Sequence, residues 1–108
     1  MELQESKQSN IPVLSLKGRF DAHEIGAVRD WIAKQLEHGQ AKLLVDLADV
    51  NFIDSSALSI LVQGLKHCRE KGGDLLLCSF QPPVKVIFEL TRLDKAFHIF
   101  ANEQEALN

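Results

Sequence analysis

The chain has 108 residues, 45% of them hydrophobic and 25% charged, with a net charge of −3. That length fits one domain over residues 1–108, and the apolar content supports a core, which argues against intrinsic disorder. The 12 basic residues are scattered and outnumbered by 15 acidic ones, a poor balance for binding nucleic acid. The longest apolar run, Leu75-Leu76-Leu77-Cys78, falls far short of the ~20 residues of a membrane-spanning helix. Met1 to Asn10 is polar and has no apolar signal-peptide core, and two cysteines that read as reduced thiols, Cys68 and Cys78, suit a cytoplasmic location.

In chain order, Ile11 to Gly18 alternates through Ile11, Val13, Leu14 and Leu16 and predicts a strand, with Glu2 to Lys7 as its weaker partner. From Ala22 to His38 the period lengthens. Ile25, Val28, Ile32 and Leu36 form one helical face, Trp31 lies at its edge, and Gly39 is the stop. Lys42 to Leu47 is a nearly continuous apolar run, as in a strand covered on both faces.

After Asp54 the helical period returns, with Leu58, Leu61, Val62, Leu65 and Cys68 on one face and Gly72-Gly73 at the end. Gly64 sits mid-helix, where it costs about 1 kcal/mol against Ala; close packing against a sheet explains it. Asp74 to Phe80 reads as a third buried strand. Pro82-Pro83 opens a short helix carrying Val84, Ile87, Phe88 and Leu90 to Leu93. Phe97 to Phe100 suits a last strand, and Glu103 to Leu107 a last helical turn or two. Strands alternating with helices imply an α/β fold. We expect a four- to five-stranded mixed sheet with helices packed mainly on one face.

Few residues carry recognisable chemistry. Cys68 and Cys78 are too far apart for a metal knuckle or a redox pair and sit in apolar patterns, which predicts buried, reduced thiols. His23, His38, His67 and His98 are dispersed, and no His or carboxylate set has metal-ligand spacing, so neither metal nor cofactor is expected. His38, near a helix C-terminus, reads as a dipole partner. A phosphate-cradling G-x-x-x-x-G-K-[ST] loop is absent. The informative stretch is Asn51 to Leu58, between a strand and an amphipathic helix. Asp54 and Ser55 there suit a helix N-terminus, where a side-chain oxygen accepts from free backbone N–H groups. The same N–H groups and the helix dipole favour an anion, including a phosphate esterified to Ser55. Capping and modification are compatible. A serine hydrolase fits less well, because Ile53-Asp54-Ser55-Ser56-Ala57 lacks the glycines of a nucleophile elbow.

Several segments, in order and spacing, together resemble the STAS family of bacterial anti-sigma factor antagonists. They are Gly18-Arg19-Phe20-Asp21, Leu44 to Leu47, Val50 to Leu58, Gly72 to Leu75, and Pro83 to Leu93. The resemblance implies the STAS fold over nearly the whole chain. It implies that Ser55 is phosphorylated by a partner anti-sigma factor serine kinase, with Ser56 as a secondary position. It also implies that the unphosphorylated form binds that kinase and frees a sigma factor. Phosphorylation abolishes the binding, and a PP2C-type serine phosphatase restores it. Asp21 and Asp54 map onto the family's acidic positions beside the phosphosite, with Ala57 in the same partner-contact region. Such a protein is a substrate of enzymes and not itself an enzyme.

Two residues depart from the family pattern. Ala57 replaces a common Gly, and Arg92 stands where relatives often carry Gly; a left-handed backbone there would cost an Arg about 1 kcal/mol. A different reading keeps the fold but drops the switch: a STAS scaffold or regulatory subunit of a transporter or signalling complex. The expected oligomeric state alone is a monomer, although Trp31 and Phe100 are candidate exposed apolar contacts. Ser55→Ala, as a cap change, is expected to cost about 0.5–2 kcal/mol.

Overall fold

The computed structural model describes residues 1–108. Two strands open the chain: β1 (Glu2–Gln8) and β2 (Ile11–Phe20). They pair antiparallel through a two-residue turn in which Ser9 and Asn10 have φ of 51° and 66°. Positive φ at both central residues is the mirror-image turn whose twist matches a hairpin. There follow α1 (Ile25–Glu37), β3 (Lys42–Ile53), α2 (Ser55–Glu70), β4 (Asp74–Cys78) and α3 (Pro82–Leu90). A 3-10 turn at Leu93–Lys95, β5 (Ile99–Phe100) and α4 (Glu103–Leu107) complete the chain.

The sheet order is β1-β2-β3-β4-β5, and every pair after the hairpin is parallel. Because the parallel strands step in one direction, crossovers of one hand place α1, α2 and α3 on one face. The large core forms there, from residues such as Leu14, Leu16, Val45, Leu47, Leu75 and Leu77 beneath Val28, Ile32, Leu61 and Phe88. The alternate strand residues Val13, Leu44, Leu76 and Cys78 face the other way, under Ala106 of α4. The strands are therefore covered on both faces, as the apolar run at Lys42 to Leu47 implied.

Several expectations need correction. The strand at Lys42 continues to Ile53, past the expected Leu47. Beyond Asp46 it has no β4 neighbour and pairs only with β2, and past Leu47 only Val50 and Ile53 are buried, so the continuous apolar signal ends. The first helix starts at Ile25 and not at Ala22, because Asp21 folds the chain into a turn: its Oδ1 accepts from the His23 N–H at 3.0 Å. The third buried strand ends at Cys78, since Ser79 turns into a left-handed conformation (φ 66°). The last strand has shrunk to two residues. On α2 the buried face runs through Ala57, Ile60, Leu61, Gly64, Leu65 and Cys68, leaving Val62 39% exposed. Leu90, expected as an apolar contact of α3, is 76% exposed. Trp31 is core and not surface, at 5% exposure, while Phe100 is half-buried.

Other local expectations hold. Gly39 takes φ 78° just after the His38 C-cap of α1. A Cβ at Gly64 would stand 2.8 Å from Ile32 Cδ1 and 3.2 Å from Leu75 Cδ2, so that glycine lets α2 approach both α1 and the sheet. Both cysteines are free and buried, on opposite faces of the sheet. Burial pushes the Cys68 thiol up to about 11 and the Cys78 thiol up to about 12, with nearby carboxylates adding to both shifts.

Candidate functional site

Parallel pairing of β2 with β3 sets Phe20 opposite Ile53, so both strands end at the same edge. The next residues, Asp21 and Asp54, are thereby brought together: the Asp54 N–H donates to the Phe20 carbonyl at 3.3 Å. Asp54 is the N-cap of α2, with φ −107° and ψ 179°. Its Oδ1 accepts from the Ala57 N–H at 2.9 Å, and its Oδ2 accepts from the Ala22 N–H at 3.0 Å. One carboxylate thus closes the helix end and ties the β2–α1 loop to it. Ser55 is the first helical residue, exposed and not the cap, which corrects the shared capping role expected of it. Ser56 is half-buried, and Ala57 is fully buried in the core.

The Asp21 carboxylate has partners of its own. Arg19 Nε lies 3.8 Å from its Oδ2 and His23 Nδ1 lies 3.4 Å from its Oδ1. The Arg19 guanidinium also stacks 3.8 Å above the Phe52 ring, which is 37% exposed. The loop end of the sheet therefore shows a charged and aromatic surface immediately before Ser55.

Beside it, Ser55, Ser56, Ser59, Ile60 and Gln63 of α2 face Ile25 and Arg29 of α1 across an open cleft of about 370 Å³. Arg29 supplies its only cationic side chain. Sequence reasoning missed Arg29 and Ser59. Their signal was helical spacing: Arg29 is four residues after Ile25, and Ser59 four after Ser55, so each shares a face with its partner. Asp21, Asp54 and Ala57 do not line this cleft.

The arrangement offers an exposed hydroxyl at a helix N-terminus, free backbone N–H groups behind it and a guanidinium across a cleft. A phosphate suits all three. Activation of Ser55 as a nucleophile needs a base; His67 stands 12 residues further along α2, about 18 Å of helix away, and the other three imidazoles contact other groups. His23 stands on Asp21, His38 Nδ1 is 2.7 Å from the Lys34 carbonyl, and His98 Nδ1 is 2.7 Å from Asp74. No three His, Cys, Asp or Glu side chains gather as metal ligands. No helix is long and apolar enough to cross a membrane.

Residues 2–106 match the family model described as the STAS domain. The chain belongs to the STAS domain family. Over 108 residues it is 26% identical to the anti-sigma F factor antagonist of Paenibacillus polymyxa, covering 99% of this chain and 92% of that protein. Its fold is also that of solved STAS proteins. An anti-sigma-factor antagonist domain protein from Planctomyces limnophilus superposes with a TM-score of 0.86 at 26% identity, over 97% of this chain and 94% of that one. The anti-sigma factor antagonist SpoIIAA in its unphosphorylated form superposes with a TM-score of 0.84 at 20% identity, over 98% and 93%. The STAS architecture expected from the sequence is thus the observed one, and those three proteins carry the description of anti-sigma factor antagonists.

Proposed function

We propose that the chain, as one STAS domain over residues 1–108, is an anti-sigma factor antagonist switched by phosphorylation of Ser55. In this reading the unphosphorylated form binds an anti-sigma serine kinase and so frees a sigma factor. Phosphate on Ser55 abolishes the binding, and a PP2C-type serine phosphatase restores it. The protein acts by binding and is a substrate of both enzymes. Ser56, half-buried beside it, is a secondary acceptor.

The observation that carries the reading is the division of labour at the α2 N-terminus. Asp54 makes both structural hydrogen bonds, while Ser55 stands exposed at the first helical position. A group added to Ser55 Oγ leaves the fold's own contacts intact and changes the surface a partner meets. A phosphate adds about −1.5 to −2 charges. Introduced into a fitted interface, that charge brings a desolvation cost, and every 1.4 kcal/mol is about tenfold in affinity. Arg29, across the cleft, supplies a cation near the modified side chain. The surface that changes is bounded by Arg19, Asp21 and Phe52 on one side and by Arg29 and Ser59 on the other.

The test is a capture experiment with three baits: the native chain, Ser55→Ala and Ser55→Glu. Captured proteins and bait phosphorylation are both read by mass spectrometry. A serine kinase held by the native and Ala baits and lost on the Glu bait, with phosphate on Ser55, is the expected result. The same partners on all three baits, without phosphate, would overturn the switch and make the chain a STAS scaffold.

A further inference from the structure

Along residues 19–29 and 51–63, which bring the chain to Ser55 and line its cleft, the ionisable side chains are Arg19, Asp21, His23, Glu24, Arg29 and Asp54. All but one have a partner. Arg19 and His23 stand on Asp21, Glu24 meets the Met1 amino group at 3.4 Å, and Asp54 accepts from two backbone N–H groups. The exposed Arg29 guanidinium makes neither an ion pair nor a hydrogen bond, and it lines the same cleft as Ser55.

Its conformation turns it toward that serine. β2 and β3 are parallel and end together at Phe20 and Ile53, so α1 and α2 leave the same sheet edge side by side. Ser55 is the first residue of α2 and Arg29 the fifth of α1, so by position alone the arginine stands about one turn further along. The side chain makes up that turn. Its Nη2 lies 3.7 Å from the point where a Cβ on Gly26 would stand, so the guanidinium is folded back over the first turn of α1. Gly26 puts no side chain of its own in the way. An unpaired guanidinium thus leans toward the level of an exposed hydroxyl across an open cleft.

A phosphate matches that guanidinium. Paired N–H donors meet two phosphate oxygens, and such charged pairs are stronger than neutral hydrogen bonds. We propose that Arg29 clamps the phosphate of phospho-Ser55, drawing it across the cleft between α1 and α2. The clamp rests on the phosphorylation proposed above, and through it the phosphate occupies the chain's own cleft as well as adding charge.

The test builds phosphoserine into the full chain in place of Ser55 by a reassigned codon, so no kinase is needed. Phosphorus NMR follows the second ionisation of the phosphate, which lies near about 6 in free phosphoserine, in the native background, in Arg29→Gln and in Arg29→Lys. Nitrogen NMR follows the Arg29 Nε–H with and without the phosphate. The ionisation should come about one pH unit lower in the native background than with Gln, and in between with Lys, because a nearby cation favours the dianion. The other ionisable groups of the surrounding elements, Arg19, Asp21, His23, Glu24, Asp30 and Asp54, are the same in all three chains. The Arg29 Nε–H should shift on phosphorylation and exchange more slowly with water. Equal ionisation in the native and Gln backgrounds, or an Nε–H signal indifferent to the phosphate, would overturn the clamp. Arg29 is exposed, so both variants should fold; if Gln loses its dispersed amide spectrum, the Nε–H signal of the native chain decides. Because the phosphate is built in, the two readings fail separately. A bait never phosphorylated in the capture experiment overturns the switch, and unchanged phosphorus and Nε–H signals overturn the clamp.

Discussion

Asp54 and Ser55 are chain neighbours with opposite structural weight. Asp54 holds two backbone N–H groups, one in the first turn of α2 and one in the β2–α1 loop, and Ser55 is the exposed residue after it. Asp54→Ala should therefore cost about 0.5–2 kcal/mol of stability, toward the upper end because two bonds are lost. Ser55→Ala should cost no more than a few tenths, because surface changes away from caps stay within about 0.5 kcal/mol. Urea unfolding of the two variants beside the native chain measures both. Arg92 offers a second case. It is the residue after the Thr91 C-cap of α3, in the left-handed region with φ 63° and ψ 12°. Glycine is the residue suited to that position, so Arg92→Gly should stabilise the fold by about 1 kcal/mol, visible as a raised urea midpoint at unchanged slope. Gly73 shows the opposite constraint: an added Cβ would fall 2.0 Å from the Ala41 carbonyl oxygen, so the start of β4 reaches β3 only without a side chain there.

Among the elements, α4 is expected to dock less firmly as pH rises. Asn102 Oδ1 accepts from the Glu105 N–H at 2.8 Å, and Glu105 reaches back to the Ala101 N–H at 3.2 Å, so a reciprocal cap holds this five-residue helix. Its first residue, Glu103, meets Asp46 on the sheet. Hydrogen bonding to Asp46, then burial, then the Asp46 charge push the Glu103 carboxyl up to about 7. The unfolded chain releases that proton near pH ~4.3. Between these values the folded form binds more protons, so this contribution to stability falls as pH rises toward about 7. Hydrogen exchange at Ala106 and Leu107 should quicken from pH 5 to pH 8 beyond the intrinsic rate, and Glu103→Gln should remove the excess. Ala106 was legible as part of a final helical turn. Its partner strand face was not, because Asp46 interrupts an otherwise apolar run and local pattern says nothing of what a carboxylate will meet.

At the scale of the molecule, Asp74 joins three parts of the fold. Its Oδ1 accepts from Arg69 Nε at 3.2 Å and from the Leu75 N–H at 2.9 Å, and its Oδ2 pairs with His98 Nδ1 at 2.7 Å. Arg69 in turn donates to the Ala96 carbonyl at 3.0 Å. Burial pushes the Asp74 carboxyl up, but the His98 hydrogen bond, Arg69, the Leu75 N–H and the His98 charge outweigh it and hold it below its usual value. With a depressed folded value, the stabilisation is present above the unfolded pKa of ~3.9 and lost as pH falls through the folded one. Denaturation series from pH 7 to pH 2 should show a steep acid limb that Asp74→Asn flattens. The sequence alone determined the element types, the mixed α/β sheet with helices mainly on one face, and the STAS resemblance centred on Asp54-Ser55. Those rest on periodicity, turn chemistry and short-range motifs, which act within a few residues of chain. Only the tertiary structure decided the length of β3, the burial of Trp31, and the placing of Arg29 across one cleft from Ser55 and Ser59. These depend on which distant segments pack together, and a local pattern of apolar and polar residues carries no record of that.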